Sequence, residues 1–166
     1  AVKNFSREDQ VNSEVLGRQP QVLQRLCDGV VEGGGALRGS ALGALCNLTA
    51  SCAENRVGEC YSPSLLRTAV QCLSDRDEDV RVHSAGLLCN VSAAEGSDGC
   101  LVEIGSQSQV FERLLGMVTE GVGDARVNAL GALCNLARAD VNKCRIGAVE
   151  GALPALAGLV GECGGA

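Results

Sequence analysis

Asparagine follows cysteine at three places in the chain, each time within the same short motif. The motif reads glycine, any residue, leucine, cysteine, asparagine and then leucine or valine, and it occupies residues 43–48, 86–91 and 131–136. An asparagine carboxamide offers two N–H donors and an oxygen acceptor, so it can pair with a peptide unit, which has one donor and one acceptor. Asn47, Asn90 and Asn135 are therefore the first candidates for a binding role.

The cysteines of the motif, Cys46, Cys89 and Cys134, each follow a leucine that we expect in the core. A cysteine there packs as a small hydrophobe, so we expect all three to be buried and all ten cysteines of the chain to be unpaired. A cysteine-dependent metal or redox protein is the alternative. Because the chain has no Cys-x-x-Cys pair and His83 is its only histidine, the sequence contains no set of zinc ligands at the usual spacing. We expect no cofactor and no metal.

Composition and charge argue against several other functions. The net charge is −6 and the chain has no Trp, one Tyr and two Phe, whereas nucleic-acid binding needs clustered cations and stacking aromatics. No apolar run approaches the roughly 20 residues of a membrane-spanning helix. His83 has no nucleophile or carboxylate at a spacing typical of a catalytic site, so we do not expect it to act as a catalytic acid or base. We therefore expect a soluble, noncatalytic protein that binds no nucleic acid, in the cytoplasm or alternatively the nucleus.

The spacing of the motifs indicates a repeat architecture. The asparagines are 43 and 45 residues apart, which is the length of one supersecondary unit and is typical of a stacked solenoid. Apolar periodicity and turn residues predict a short, a medium and a long helix in each unit, with the motif on the long helix. We expect an all-α single domain over residues 1–166 with units at about 1–52, 53–94, 95–139 and 140–166, the last without its long helix.

A long helix that carries this motif has two different faces. At about 100° per residue, the positions four and seven residues before each asparagine lie close to it, while the motif leucines and valine lie opposite and predict the core. The sequence therefore predicts one polar or small-residue stripe along the stack. This stripe consists of Asn47, Gly43 and Ser40, then Asn90, Gly86 and His83, then Asn135, Gly131 and Asn128.

The stretch 129–156 carries a family resemblance. It reads Ala-Leu-Gly-Ala-Leu-Cys-Asn-Leu-Ala, runs on through Asn-Lys-Cys-Arg-Ile at 142–146, and reaches Gly-Ala-Leu-Pro-Ala-Leu at 151–156. This order resembles the third-helix, first-helix and second-helix signatures of the armadillo repeat family. The resemblance implies a right-handed α-solenoid, an armadillo-type superhelix of about three and a half three-helix repeats. A HEAT-type solenoid is the nearest alternative, and a leucine-rich repeat has too short a period.

The same resemblance implies how the asparagines act. In the armadillo family the long helices line a concave groove, and the repeated asparagine hydrogen-bonds the backbone of an extended peptide. The alternative is that Asn47, Asn90 and Asn135 bond locally to their own helices or loops. The family's nuclear-import adaptors carry tryptophan four residues before the asparagine. This chain has glycine there, so a cation-π site for lysine is missing, as in the adhesion and scaffolding branch.

The predicted function is a protein–protein interaction module that binds an extended peptide in this groove. A regulator or chaperone-type accessory solenoid that clamps a folded partner is the alternative. The last unit lacks a long helix to cover Leu153, Leu156 and Leu159. Because terminal repeats need polar caps, we expect flanking repeats or self-association at the C-terminal end.

Overall fold

The described part of the chain, residues 15–17, 19–56 and 62–163 of a computed structural model, is built from helices. The helices are α1 Pro20–Val31, α2 Gly35–Ser51, α3 Pro63–Cys72, α4 Glu78–Ser92, α5 Asp98–Ser106, α6 Val110–Glu120, α7 Gly123–Leu136, α8 Asp140–Gly147 and α9 Ala152–Cys163, with a 3₁₀-helix at Ala53–Arg56. None of them is both long and apolar enough to cross a bilayer. The all-α prediction is confirmed. The short helix expected at the start of the first unit, 1–52, falls largely outside the described residues, apart from a helical stretch at 15–17.

Local sequence signals explain where the helices begin. Proline stands in the first turn of α1 and of α3, where its missing N–H costs no hydrogen bond. The Asp77 side chain caps α4 by accepting a hydrogen bond from the Asp79 N–H at 2.9 Å. Gly35 and Gly123, the first residues of α2 and α7, have φ of +48° and +54°. Glycine adopts this left-handed backbone without the steric penalty of a Cβ, so it sharpens the turn into each of these long helices.

The helices follow a repeated order of short, medium and long. The 3₁₀-helix, α3 and α4 form one such series, α5, α6 and α7 form the next, and α8 and α9 begin a third. The long helix α4 packs against α2 on one side and against α7 on the other. The medium helix α9 packs against α6, and the short helix α8 against α5. Equivalent helices of successive units therefore lie side by side.

The core lies between these layers and is aliphatic. The motif positions predicted to face it are all buried, at 4% exposure or less: Leu45, Leu48, Leu88, Val91, Leu133 and Leu136. One hydrophobic cluster runs from Leu23 in α1 to Ala152 in α9. The predicted division of each long helix into a core face and a more polar face is thus confirmed on the core side.

Two buried asparagines outside the motif fasten the short helices to the stack. Asn55 donates from Nδ2 to the Leu48 carbonyl at 3.1 Å, and Asn142 donates from Nδ2 to the carbonyls of Leu101 at 2.8 Å and Leu136 at 3.0 Å. The last carbonyls of a helix have no partner within it. Each asparagine therefore adds a second donor to a carbonyl near the end of a long helix and fixes the short helix that follows.

Replacing Asn142 by alanine should destabilise the protein by about 1 to 3 kcal/mol, because two buried side-chain hydrogen bonds, to the carbonyls of Leu101 and Leu136, are lost. Chemical denaturation followed by circular dichroism measures this. Lys143→Ala is the control, since Lys143 is exposed and pairs only with exposed Asp140. It should change the free energy of unfolding by no more than about 0.5 kcal/mol. Equal effects of the two substitutions would contradict the structural role of Asn142.

Candidate functional site

The motif asparagines tie each long helix to the one before it. Asn90 on α4 donates from Nδ2 to the Cys46 carbonyl of α2 at 3.0 Å and to the Thr49 hydroxyl oxygen at 3.1 Å. Asn135 on α7 donates in the same way to the Cys89 carbonyl of α4 at 3.0 Å. These bonds are neither local to one helix nor directed away from the stack. They join equivalent positions of neighbouring units.

Two further bonds show that the long helices run parallel and in register. Asn128 donates from Nδ2 to the Val82 carbonyl at 3.2 Å near the start of α7, and Arg138, just after α7, donates to the Ser92 carbonyl at 3.4 Å. Both pairs are 46 residues apart, as are Asn135 and Cys89. Because the partners advance together along both helices, α4 and α7 lie parallel.

The motif glycines permit this close approach. A Cβ added to Gly86 would lie 2.5 Å from the Cys46 sulfur, and one added to Gly131 would lie 2.7 Å from the Cys89 sulfur. No Cβ fits at such distances, so the cysteine of one unit occupies the space that the glycine of the next leaves open. We expected Gly43, Gly86 and Gly131 on a ligand-facing stripe. The structure instead places Gly86 and Gly131 between long helices, and Gly43 is also buried.

The cysteines are less buried than the sequence predicts. Cys46 and Cys89 are half-buried and Cys134 is exposed, so the prediction that all three are buried is wrong. Each lies one residue beyond a core leucine, which turns it about 100° out of the core and toward the next unit. Burial raises the pKa of the Cys89 thiol, and Arg56 opposes that shift. The cysteines at positions 27, 46, 52, 72, 89, 100, 134 and 144 are free thiols.

The other predicted site residues lie at different depths. Ser40 is exposed on α2, whereas Asn47 on the same helix and His83 on α4 are half-buried. Asn128 and Asn135 are half-buried on α7. The structure therefore brings Asn90, Asn128 and Asn135 into one system of bonds between helices, and it leaves Ser40 on the surface.

The polarity of the amides determines what this face can do chemically. The two hydrogens of the Asn90 amide group have two acceptors on α2, the Cys46 carbonyl and the Thr49 hydroxyl. The remaining capacity of that side chain is its carbonyl oxygen, which only accepts hydrogen bonds. Within the ranges that the structure describes, no three Cys, His, Asp or Glu side chains are grouped as metal ligands. The described face is thus a set of fixed amides whose nitrogen ends point to the preceding helix.

Two arginines stabilise the turns between medium and long helices by donating to main-chain carbonyls, although they are not part of the predicted stripe. Arg38 donates from Nε to the Val30 carbonyl at 2.9 Å, and Arg81 donates from Nη1 to the Asp75 carbonyl at 2.8 Å. Both arginines stand nine residues before a motif asparagine. That shared spacing is the sequence signal by which they can be found.

Comparison with known proteins supports the fold and no more. No protein-family model matches the chain, and no curated protein matches it. Fourteen chains of solved structures match. One is the crystal structure of an engineered protein from the Northeast Structural Genomics Consortium, with a TM-score of 0.62 and 16% identity over 83% of this chain. This chain covers 54% of that engineered protein. At this identity the similarity shows a shared helical fold.

Gly131→Ala tests the contact between glycine and cysteine. The added methyl group should collide with the Cys89 sulfur and destabilise the protein by about 1 to 2 kcal/mol. In a Cys89→Ala background the sulfur is absent, and the same substitution should instead stabilise α7 by up to about 1 kcal/mol, because alanine favours helix over glycine. Denaturant titration of the four proteins gives the coupling free energy. Additive effects, within about 0.5 kcal/mol, would show that the two residues do not interact.

Alkylation with iodoacetamide should distinguish the thiols by burial and pKa. Exposed Cys134 and Cys144 should react first, and Cys100 last. Burial, aided by Glu103, raises the pKa of Cys100 from 9.0 to about 11. Since the thiolate is the reactive form, the rate at Cys100 should keep rising up to about pH 11. Peptide mass spectrometry reads each site, and denatured protein provides the reference rate. Reaction of Cys134 as slow as that of Cys100 would contradict the described exposure.

Proposed function

We propose that the protein is a noncatalytic protein-interaction module, a right-handed armadillo-type α-solenoid, that binds an extended peptide along the face of Asn47, Asn90 and Asn135. The repeated motif, the side-by-side long helices and the half-buried position of all three asparagines support this proposal. The peptide-binding role of these three asparagines is what the armadillo resemblance of the sequence implies.

The observation that carries the proposal is the fixed orientation of the amides. The nitrogen of Asn90 is held by α2 and that of Asn135 by α4, so each side chain keeps its carbonyl oxygen to accept from a ligand. A group fixed in this way loses little further conformational freedom when it binds. The backbone N–H groups of an extended peptide are the donors that such a row of acceptors suits.

The geometry of packed helices sets the spacing of these contacts. Packed helices lie about 8 to 10 Å apart, and an extended chain advances about 3.3 Å per residue. N–H groups three residues apart lie on one side of the peptide when it adopts the polyproline II conformation, which has three residues per turn and rises about 3.1 Å per residue, so we propose that conformation for the bound peptide. Recognition would rest on the peptide backbone, because the chain has no tryptophan with which to hold a lysine side chain.

Asn90→Ala, compared with Thr49→Val, tests this proposal. The ligand is the tightest binder selected from a random peptide library on the wild-type protein. Asn90→Ala removes the hydrogen bonds to α2 and also the amide oxygen that would accept from the peptide. Thr49→Val removes only a hydrogen bond between α2 and α4, because Thr49 is 0% exposed and cannot touch a ligand. Asn90→Ala should weaken peptide binding about tenfold or more, and Thr49→Val by less than about twofold.

Denaturation of both variants completes the comparison. Each should lose stability, because each breaks a hydrogen bond between α2 and α4. Isothermal titration calorimetry at a temperature where both remain folded measures the affinities. Equal affinities of the wild-type protein and Asn90→Ala would show that the asparagines only hold the helices together, and the peptide-binding proposal would fail.

A further inference from the structure

Two arginines occupy equivalent places at the ends of neighbouring long helices. Arg56 donates from Nε to the Thr49 carbonyl of α2 at 2.7 Å and from Nη2 to the Ala50 carbonyl at 3.2 Å. Arg138 donates from Nη1 to the Ser92 carbonyl of α4 at 3.4 Å. Thr49 and Ser92 each stand two residues after a motif asparagine. Because α2 and α4 pack side by side, these two arginines, which we call the arginine pair, bind the stack one unit apart.

The arginine pair lies beside the row of motif asparagines. The carbonyls two residues beyond the asparagines are only about 3 Å further along each helix axis. Burial raises the pKa of Cys89, which precedes a motif asparagine, and the charge of Arg56 is near enough to oppose that rise. Arg138 stands three residues after a motif asparagine, and this position is exposed in all three units, as Ala50, Ala93 and Arg138. The exposure of Arg138 is therefore a property of the position, which the inner units share.

The acids near the arginine pair differ in how far they are engaged. Glu54 and Glu95 line the same hollow of about 420 Å³ as Arg56, between the 3₁₀-helix and the residues that follow α4. Glu54 accepts a hydrogen bond from the thiol two residues before it at 2.7 Å. Asp140, which begins α8 just after the second arginine, pairs with Lys143 at 2.6 Å. Glu95 is therefore the acid whose charge would compete most directly with an anionic ligand of the pair.

The spacing of the arginine pair matches that of side chains along a polyproline II peptide. Packed helices lie about 8 to 10 Å apart, and such a peptide advances about 9 Å in three residues, with side chains three residues apart on one side. A guanidinium group has five N–H donors, of which the bonds above use two in Arg56 and one in Arg138. Each arginine can therefore also bind a carboxylate.

We propose that the peptide bound along the face of the motif asparagines is acidic, with two Asp or Glu side chains three residues apart that bind Arg56 and Arg138. This preference rests on the proposed peptide binding and adds a choice of side chains to its backbone contacts. The charge of the whole chain favours the opposite class of peptide, because a protein of net charge −6 attracts basic peptides at long range. Selection of an acidic peptide would thus reflect the local arginines.

Peptide selection tests the preference first. A random peptide library selected on the wild-type protein should return Asp or Glu at two positions three residues apart. Basic peptides, or peptides without this pair of acids, would overturn the acidic preference. If those peptides still bound Asn90→Ala at least about tenfold more weakly than the wild-type protein, peptide binding by the asparagines would stand without it.

A double-mutant cycle then assigns the contacts. Arg138→Gln, and replacement of one peptide acid by its amide, should each weaken binding about two- to fivefold in isothermal titration calorimetry. Together they should weaken it little more than either alone, because they remove the same contact. The other peptide acid should show this coupling with Arg56→Gln. The peptide substitutions leave the protein intact, so they remain informative if an arginine variant is unstable.

Two further variants complete the test. Arg67→Gln removes an exposed arginine from the medium helix α3, away from the asparagines, and should change the affinity by less than about 1.5-fold because salt screens its charge. Glu95→Gln should tighten binding about twofold, since it removes a negative charge from the hollow that Arg56 lines. Additive effects in both cycles, or an equal loss from Arg67→Gln, would show that the arginine pair does not bind the peptide acids.

Discussion

The structure depends on one contact that is repeated between long helices: an asparagine amide donates to the carbonyl of a cysteine one unit back, while a glycine four residues earlier makes room for that cysteine's sulfur. The glycine permits the close approach, and the hydrogen bond sets the register along the helix axis. Neither works alone, since a side chain at Gly86 would push α4 away from α2 and take Asn90 out of reach of the Cys46 carbonyl. Direct apolar contacts fill the core, but they are less selective about register.

This contact makes the candidate binding face and the stability of the stack inseparable. The amide of Asn90 holds two helices with its nitrogen end, and the ligand proposed here would use only its oxygen end. A substitution at that position therefore acts on both properties, which is why Thr49, fully buried behind the amide, is the informative comparison. Conventional alanine scanning of this face would confuse loss of a ligand contact with loss of packing.

The repeated motif was enough to predict the all-α fold, the long helices and the core positions such as Leu45 and Val91. It did not predict the partner of Asn90, because helical periodicity gives the direction of a side chain within one helix but not the neighbour that it meets 44 residues away. The error on Cys134 has the same origin. Periodicity places Cys134 beside a core leucine, but it does not tell which neighbour covers a side chain that is turned about 100° out of the core.

Asn55 and Asn142 were missed for a different reason. They lie in short helices with few apolar residues, and the middle unit has Ser97, which donates to the Ser92 carbonyl at 3.1 Å, in a similar role. Asn55 and Asn142 bond the carbonyl of the residue after the motif asparagine, and Ser97 bonds the carbonyl one residue further on, so a search for identical residues at a fixed period does not find them. Hydrogen-bonding function was retained there without residue identity.

The acceptor of each asparagine tie is a main-chain carbonyl, and this has a consequence for how such a protein can change over time. A carbonyl is present at that position whatever the side chain, so the hydrogen bond places no demand on the sequence of the accepting helix. Only the fit of sulfur against glycine is specific to residue type. A unit that keeps its own glycine and asparagine can therefore be duplicated, deleted or exchanged for its neighbour with little adjustment on the other side. The length of the array is then free to vary while each junction stays the same.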